Sequence, residues 1–260
     1  MAAVPGIRGS TTPQPYPFTR TVSYLTRVNR FANATEQRWM ARPPLTSFTM
    51  SYSSLLAADK ASQFTFFTDQ KGMFDIGATI SFTFTSGHGA TVTYSNMTLQ
   101  SDAFSVKERM PLQYDTQISL HQTQNPTYTY TAPASPVFPA LAVGATAMYP
   151  FEQVSRYLTM FNDQPTGMRY AEAFFGASFT GFPAGPLKEW TIQFPVLTDA
   201  DLATHEAFFN SVAGRLNTFQ FTDPMDNTVH TKVRYASDDF SVRYLAPNQN
   251  QLTITLVETN

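Results

Sequence analysis

Hydrolysis of a sugar or cell-wall polymer needs two carboxyl groups facing one bond. The C-terminal half of this chain supplies Asp199, Asp201, Glu206, Asp223, Asp226, Asp238 and Asp239. Glu206 and Asp226 are the acids a peptidoglycan hydrolase would use. Against that chemistry, Asp201 recurs as Asp59 and Asp238 as Asp102 when the chain is laid over itself. An acid kept in both copies serves a shared backbone, as a helix-start or turn group, more naturally than a single cleft. The histidines (His88, His121, His205 and His230) lack the His-x-x-x-His spacing of a metal site, and each is expected to be structural, with His205 on the exposed side of a helix. There is no cysteine, hence no thiolate nucleophile and no Cys-based zinc site, and a reducing cytosol is the expected place of folding. No Gly-x-Ser-x-Gly elbow, phosphate loop or dinucleotide fingerprint is present. The expectation is a chain that is not an enzyme, with no catalytic, cofactor or metal site.

Recognition chemistry is better represented. Trp39 lies in Gln37-Arg-Trp-Met40 among Arg20, Arg27, Arg30, Arg38 and Arg42. Trp and Arg are enriched at binding hot spots, so Arg38, Trp39 and Arg42 are candidate subunit-interface residues; a core Trp on a solvated strand face is the alternative. Between Thr116 and Phe151 no charged residue occurs, and the stretch is rich in Pro, Thr and Tyr. A disordered linker would carry more charge. This one is expected to be an ordered arm lying on a protein surface, with Tyr128, Tyr130 and Phe138 as further interface candidates and Leu141 beside them; whose surface it covers is open. Charged residues are 14 % of the chain and aromatics 14 %, against roughly 25 % charge in a usual soluble domain. A net charge of −2 offers no electrostatic grip on nucleic acid. The N-terminus has no signal-peptide pattern and no apolar run approaches a membrane span, so no membrane insertion is expected.

The elements that must position these residues come in two copies. At an offset of 142 residues, Phe48–Tyr52 falls on Trp190–Phe194, Leu55 on Leu197, Asp59 on Asp201, Phe66-Phe67 on Phe208-Phe209 and Gly72 on Gly214. Further on the offset is 136: Asp102 falls on Asp238, Phe104-Ser-Val106 on Phe240-Ser-Val242, Ile118 on Ile254 and Leu120 on Leu256. A net six-residue insertion in the first copy, placed after Gly72, accounts for the change. The alternation of Phe48, Met50 and Tyr52 predicts a strand with one buried face. Before it, Phe18 to Arg42 reads as paired strands around Asn33, stopped by Pro43-Pro44. Thr198 is placed to cap a helix with Asp199 and Asp201 in its first turn, Leu202, Phe209 and Val212 on one face, and Gly214 ending it. The counterpart stripe is Ala57, Ala61, Phe64 and Phe67, ended by Gly72. Phe66, Phe67, Phe208 and Phe209 are read as helix anchors in the core. Strands follow in each copy, with turns at Gly87-His-Gly89 and Asp223-Pro224. The expected fold is mainly β, a β-rich α+β chain. It would comprise two tandem tube-like sandwich or barrel domains, each with one helix on its sheet. The boundaries are an extended, proline-rich N-terminal arm over 1–19, a first domain over 20–120, the charge-free arm over 121–150 and a second domain over 151–260.

The second copy also carries a pattern: Phe208-Phe209, Gly214-Arg215, Phe219-x-Phe221-x-Asp223, Lys232-Val-Arg-Tyr235 and Asp239-Phe-Ser-Val-Arg-Tyr244. Over residues 187–257 it resembles bacteriophage minor tail proteins, which are related to the distal tail proteins of long-tailed phages and gene transfer agents. Such proteins commonly carry the motif once. Here it is duplicated, and the first copy has lost the Gly-Arg and Phe-x-Phe-x-Asp details. The resemblance implies a structural protein of the virion, made in the bacterial cytoplasm. It would form a trimeric or hexameric ring or adaptor at the distal end of the tail tube, beside tube, hub and tip proteins, with DNA only as cargo in a channel. An adhesion or carbohydrate-binding module, with exposed Tyr and Trp stacking on sugars, is the alternative; the tail-associated hydrolase is the second.

Overall fold

The computed structural model describes residues 2–5, 16–30, 36–74, 80–85, 91–125, 128–139, 151–156 and 187–259. The turns expected at Asn33 and at Gly87-His88-Gly89, and Leu141 of the arm, lie outside them. Within the described residues the chain is mainly β with some helix. The first half contains β1 (Ala2–Ala3), β2 (Phe18–Arg30), β3 (Glu36–Leu55), α1 (Ala57–Phe74), β4 (Ile80–Thr85), β5 (Thr91–Leu99), β6 (Val106–Met110) and β7 (Gln113–Gln122). The second contains β8 (Phe151–Arg156), β9 (Leu187–Leu197), α2 (Asp199–Ser211), β10 (Phe219–Thr222), β11 (Val229–Tyr235), β12 (Asp239–Ala246) and β13 (Gln249–Glu258).

Strand β3 buries every second residue from Pro44 to Tyr52, as the alternation predicts. Pro43-Pro44 does not stop it. The ladder with β2 steps from Ser23↔Leu45 to Leu25↔Arg42, so both prolines fall in an irregularity where no ladder N–H is required. In α2 the Asp201 amide donates to Thr198 Oγ1 at 3.2 Å and the Thr198 hydroxyl donates back to Asp201 Oδ2 at 2.7 Å. The helix is closed by Gly214, at φ +64°, whose amide donates to the Phe209 carbonyl at 3.0 Å. A Cβ there would stand 2.9 Å from Asp238 Oδ1, so glycine is required twice over. Helix α1 departs from expectation. It runs on to Phe74, past Gly72; over residues 57–69 its buried residues are Gln63 and Phe66, while Ala57, Ala61 and Phe64 are exposed. Thr116 Oγ1 donates to Gln63 Oε1 at 2.6 Å, which explains a buried amide on that face.

The repeat is reproduced pair by pair. Phe48↔Leu120 and Met50↔Ile118 join β3 to β7; Trp190↔Leu256 and Ile192↔Ile254 join β9 to β13. Leu99↔Leu120 has its match in Tyr235↔Leu256, and Val106↔Thr116 in Val242↔Leu252. Irregularities recur at the same places, between Ile80 and Phe82 and between Phe219 and Phe221, as do the left-handed turn residues Leu112 and Asn248. Ile80↔Met97 matching Phe219↔Val233 sets β4 and β10 at an offset of 139, so the insertion is split. Three residues precede β4 and three lengthen the β4–β5 connection.

β8 is the counterpart of β2. Phe18 pairs with Met50 and Phe151 with Ile192, an offset of 133. The same offset lays Tyr24-Leu25-Thr26 on Tyr157-Leu158-Thr159 and Asn29 on Asn162 in the sequence, which carries the repeat upstream of Leu45.

All described strands belong to one 13-stranded sheet, in the order β1-β4-β5-β7-β3-β2-β12-β13-β11-β10, with β6 on β7, and β8 on β9 beside β13. The copies meet where β12 runs antiparallel to β2, from Asp239↔Ser23 to Tyr244↔Phe18. The core is aromatic on both sides of this joint: Phe48, Tyr52, Trp190, Phe194, Phe209, Phe219 and Phe221 are fully buried. Each such ring contributes about 1.5–3 kcal/mol by leaving water.

Candidate functional site

Polar chemistry is concentrated where the copies join. Arg20 on β2 is 6 % exposed. Its Nη1 donates to Tyr94 Oη on β5 at 2.9 Å, its Nη2 donates to Glu206 on α2, and its guanidinium lies 5.8 Å from the Tyr244 ring of β12. Burial opposes the charge on Arg20, but Glu206, with Tyr244 and Tyr94, overcomes it and holds the group above the ordinary arginine range. A buried cation so placed is destabilising to strip of its partner. Four residues along β2, on the same face, the Tyr24 hydroxyl donates to Asn210 Oδ1 at 2.9 Å, and burial raises its pKa. Asp238, at the entry to β12, accepts from the Thr26 amide at 2.7 Å, the Thr26 hydroxyl at 2.8 Å and the Arg215 amide at 3.2 Å. Arg215 Nη2 in turn donates to the Thr26 carbonyl at 2.9 Å.

The described part of the charge-free arm packs on this same chain. Phe138 is buried among Phe208, Phe219, Phe221 and His205, at ring distances of 5.4–5.8 Å. The Phe138 amide donates to the Gln220 carbonyl at 2.8 Å, and the Gln220 amide to the Pro136 carbonyl at 2.9 Å. The Tyr128 hydroxyl donates to Tyr24 Oη at 3.4 Å, and Asn217 Nδ2 donates to the Tyr130 hydroxyl. Tyr128, Tyr130 and Phe138 therefore make contacts within the second copy and with β2; Phe138 is buried there, while Tyr128 and Tyr130 are only partly covered. The reason is that Phe138 completes an aromatic pocket that α2 and β10 leave open.

Of the arginine cluster, Arg38 is engaged in the chain. It pairs with Glu36, which also meets Arg234 at 3.6 Å, and donates to the Arg215 carbonyl at 3.3 Å. Arg42 is half-buried on β3 at the irregularity opposite Leu25. Trp39 is 41 % exposed and so is not a core residue. With Arg27, Asn29, Arg215 and Arg234 it lines an open basin of about 760 Å³.

No protein-family model matches the chain, and no curated protein matches it in sequence.

The acids and histidines read as chemical candidates have local partners. Glu206 is held by Arg20, and Asp226, in the turn after β10, meets Lys188 at 3.3 Å. Asp223 is fully buried, accepting from Trp190 Nε1 at 3.1 Å and closing the turn through the Met225 amide at 2.9 Å. His205 is buried rather than exposed, 4.8 Å from the Phe194 ring, and burial, opposed by Asp201, lowers it to about 4. Its side of α2 faces β9 and the arm, which the helical period alone did not show. His230 Nδ1 lies 2.8 Å from Glu258, and His121 contacts Thr98; His88 lies outside the described residues. Among the described residues no group of three His, Cys, Asp or Glu could hold a metal, and no helix is long and apolar enough to cross a membrane.

The helix anchors split by copy. Phe209 is fully buried and Phe208 partly, whereas Phe66 is buried and Phe67 only partly. Sequence reasoning missed β2 as the strand that joins the copies. The recurrence of Tyr24-Leu25-Thr26 at Tyr157-Leu158-Thr159 marks β2 as part of the repeat, but no sequence signal marks its pairing with β12.

Proposed function

We propose that this chain is a structural, non-enzymatic component of a phage tail, a ring or adaptor at the distal end of the tail tube. One observation carries the reading. Two register-equivalent repeats are joined edge to edge through β2 and β12, a joint that copies of the chain could repeat between them in an assembly. The resemblance of residues 187–257 to minor tail proteins supports it, as does a composition with only 14 % charge, suited to broad protein contacts. In this reading each copy is one tube-like β domain, and three chains present six of them, which matches a sixfold tube to a threefold tip. Its partners are further copies of itself and the neighbouring tube, hub and tip proteins, and its place is the virion. With a net charge of −2 the ring would not grip DNA passing through it.

The test is native mass spectrometry of the purified chain with electron microscopy of the same sample. Three copies of the 29.0 kDa chain, 87 kDa, or six, 174 kDa, seen as closed rings, are the expected result. A chain that stays monomeric and does not bind purified tails sinks the proposal. The exposed Trp39 beside its basin favours, as a second reading, a carbohydrate-binding module. Glycan-array binding lost in Trp39→Ala would move it to first place.

A further inference from the structure

β12 is held along one edge by β13, from Val242 to Ala246, and along the other by β2, from Asp239 to Tyr244. Asp239, Phe240 and Ser241 are therefore strand because of β2 alone. Their counterparts in the first copy are Ala103, Phe104 and Ser105, and these are not strand. β6 begins at Val106, the counterpart of Val242, where pairing with the hairpin partner β7 starts. The first copy thus reproduces every part of the joint that its own hairpin can form. Among the described residues it lacks the part that a neighbouring strand supplies.

Side chains show the same deficit. Phe209 is fully buried between Tyr24 of β2, at 5.5 Å, and Phe240, at 5.0 Å. Its counterpart Phe67 keeps the equivalent contact with Phe104, at 5.4 Å, yet is only partly buried. Phe64, at the position of Glu206, is 53 % exposed, and every residue of β6 is exposed. An edge strand beside exposed aromatic rings is a template for another strand. The strand of matching kind is β8, which sits on β9 in the register that β2 has on β3, and which pairs only with β9 among the described residues.

We infer that β6 of one chain is completed by β8 of a second copy of the same chain, repeating between chains the β2·β12 joint that each chain makes internally. Each chain offers one edge of each kind, so the contact is head to tail and propagates until it closes. Closure into a ring rests on the function proposed above; the edge pairing rests on the register. Carrying the internal register across, Thr19↔Arg243 becomes Glu152 opposite Lys107, and Phe18↔Tyr244 becomes Phe151 opposite Glu108. Residues of opposite charge then share one register position, which favours this pairing over a slipped one.

The 260-residue chain has no cysteine, so introduced pairs report without background. Thr19→Cys with Arg243→Cys marks the internal joint and should be bridged within one chain by a short bis-maleimide. Lys107→Cys with Glu152→Cys marks the external joint and should be bridged between chains. Under denaturing electrophoresis the product should be multimers ending in one closed species. Mixing the two single variants, Lys107→Cys and Glu152→Cys, should give covalent dimers and nothing larger, the signature of a head-to-tail contact. If the internal pair is bridged while the external pair stays monomeric or bridges within its own chain, the edge pairing is overturned, even where the wild type forms rings. If the external pair bridges between chains but native mass spectrometry and microscopy show open filaments, the edge pairing stands and the ring reading falls.

Discussion

Replacing Asp238 by Ala should cost more than any exposed acid in the chain, because one carboxylate ties three segments together. It accepts from the Thr26 amide, the Thr26 hydroxyl and the Arg215 amide, and its side chain is 12 % exposed, with Arg215 Nε at 3.2 Å. Thr26 is 2 % exposed, so its amide would have no ready replacement acceptor. Hydrogen bonds to a charged acceptor contribute about 1.5–3 kcal/mol each, and an orphaned buried donor costs about 1–3 kcal/mol. These terms are not additive, and a loss of about 3–4 kcal/mol is the working figure. At an m-value of about 3 kcal/mol/M, the urea midpoint should fall by about 1 M with an unchanged slope. Thr26→Val, which removes only the hydroxyl, should cost about 1 kcal/mol. In the double variant the two losses should fall short of their sum by about 1 kcal/mol, since the hydroxyl has lost its acceptor already. A midpoint shift below about 0.3 M for Asp238→Ala, or strict additivity with Thr26→Val, would refute the clasp.

Gly214→Ala forces a side chain into a left-handed conformation against Asp238; a cost of about 2 kcal/mol should lower the melting temperature by roughly 4–8 °C, and no change would mean that the turn relaxes freely. Phe138→Ala empties an aromatic pocket and should cost about 3–5 kcal/mol. Because the arm lies on its own chain, that loss should be the same at low and high protein concentration, whereas a subunit-interface anchor would show a concentration-dependent midpoint. His205 gives a pH dependence: burial lowers its pKa from 6.5 to about 4. The unfolded chain takes up a proton near 6.5 that the folded chain refuses until about 4. The contribution is full above pH 6.5, declines as pH falls to 4 and is flat below, a span of about 3 kcal/mol. His205→Leu should remove that part of the urea-midpoint slope between pH 7 and pH 4, and an unaltered slope would show that the imidazole is not buried in solution.

Local signals were legible where one stretch of chain decides its own structure. Thr198, Asp201 and Gly214 mark both ends of α2, and Phe48, Met50 and Tyr52 declare the buried face of β3. The duplication was legible too, because the offsets of 142 and 136 follow residues whose partners lie inside each copy. What escaped depended on pairings distant in sequence. Pro43-Pro44 suggested a stop only while the ladder irregularity opposite them was unknown. Phe64 and Phe67 suggested a core stripe because the second copy has one, but there β2 supplies the cover. The helix period puts His205 on the outer face of α2 because it cannot show that Phe138 folds back over that face. The same distance hid the fate of Tyr128, Tyr130 and Phe138: a charge-free stretch declares that it lies on protein, not on which protein.

The internal joint also sets an order of events during synthesis. Ser23 on β2 and Asp239 on β12 are separated by 216 residues. At about 5–20 residues per second, roughly 10–40 s pass between the emergence of the two strands from the ribosome. Throughout that interval the β2–β3 hairpin has an open edge and Arg20 lacks Tyr244, and for most of it lacks Glu206 as well. The β12–β13 hairpin of a second, finished chain presents the same edge as the chain's own. Exchange of that hairpin between chains then competes with correct folding, and it should grow with the local concentration of newly made chains.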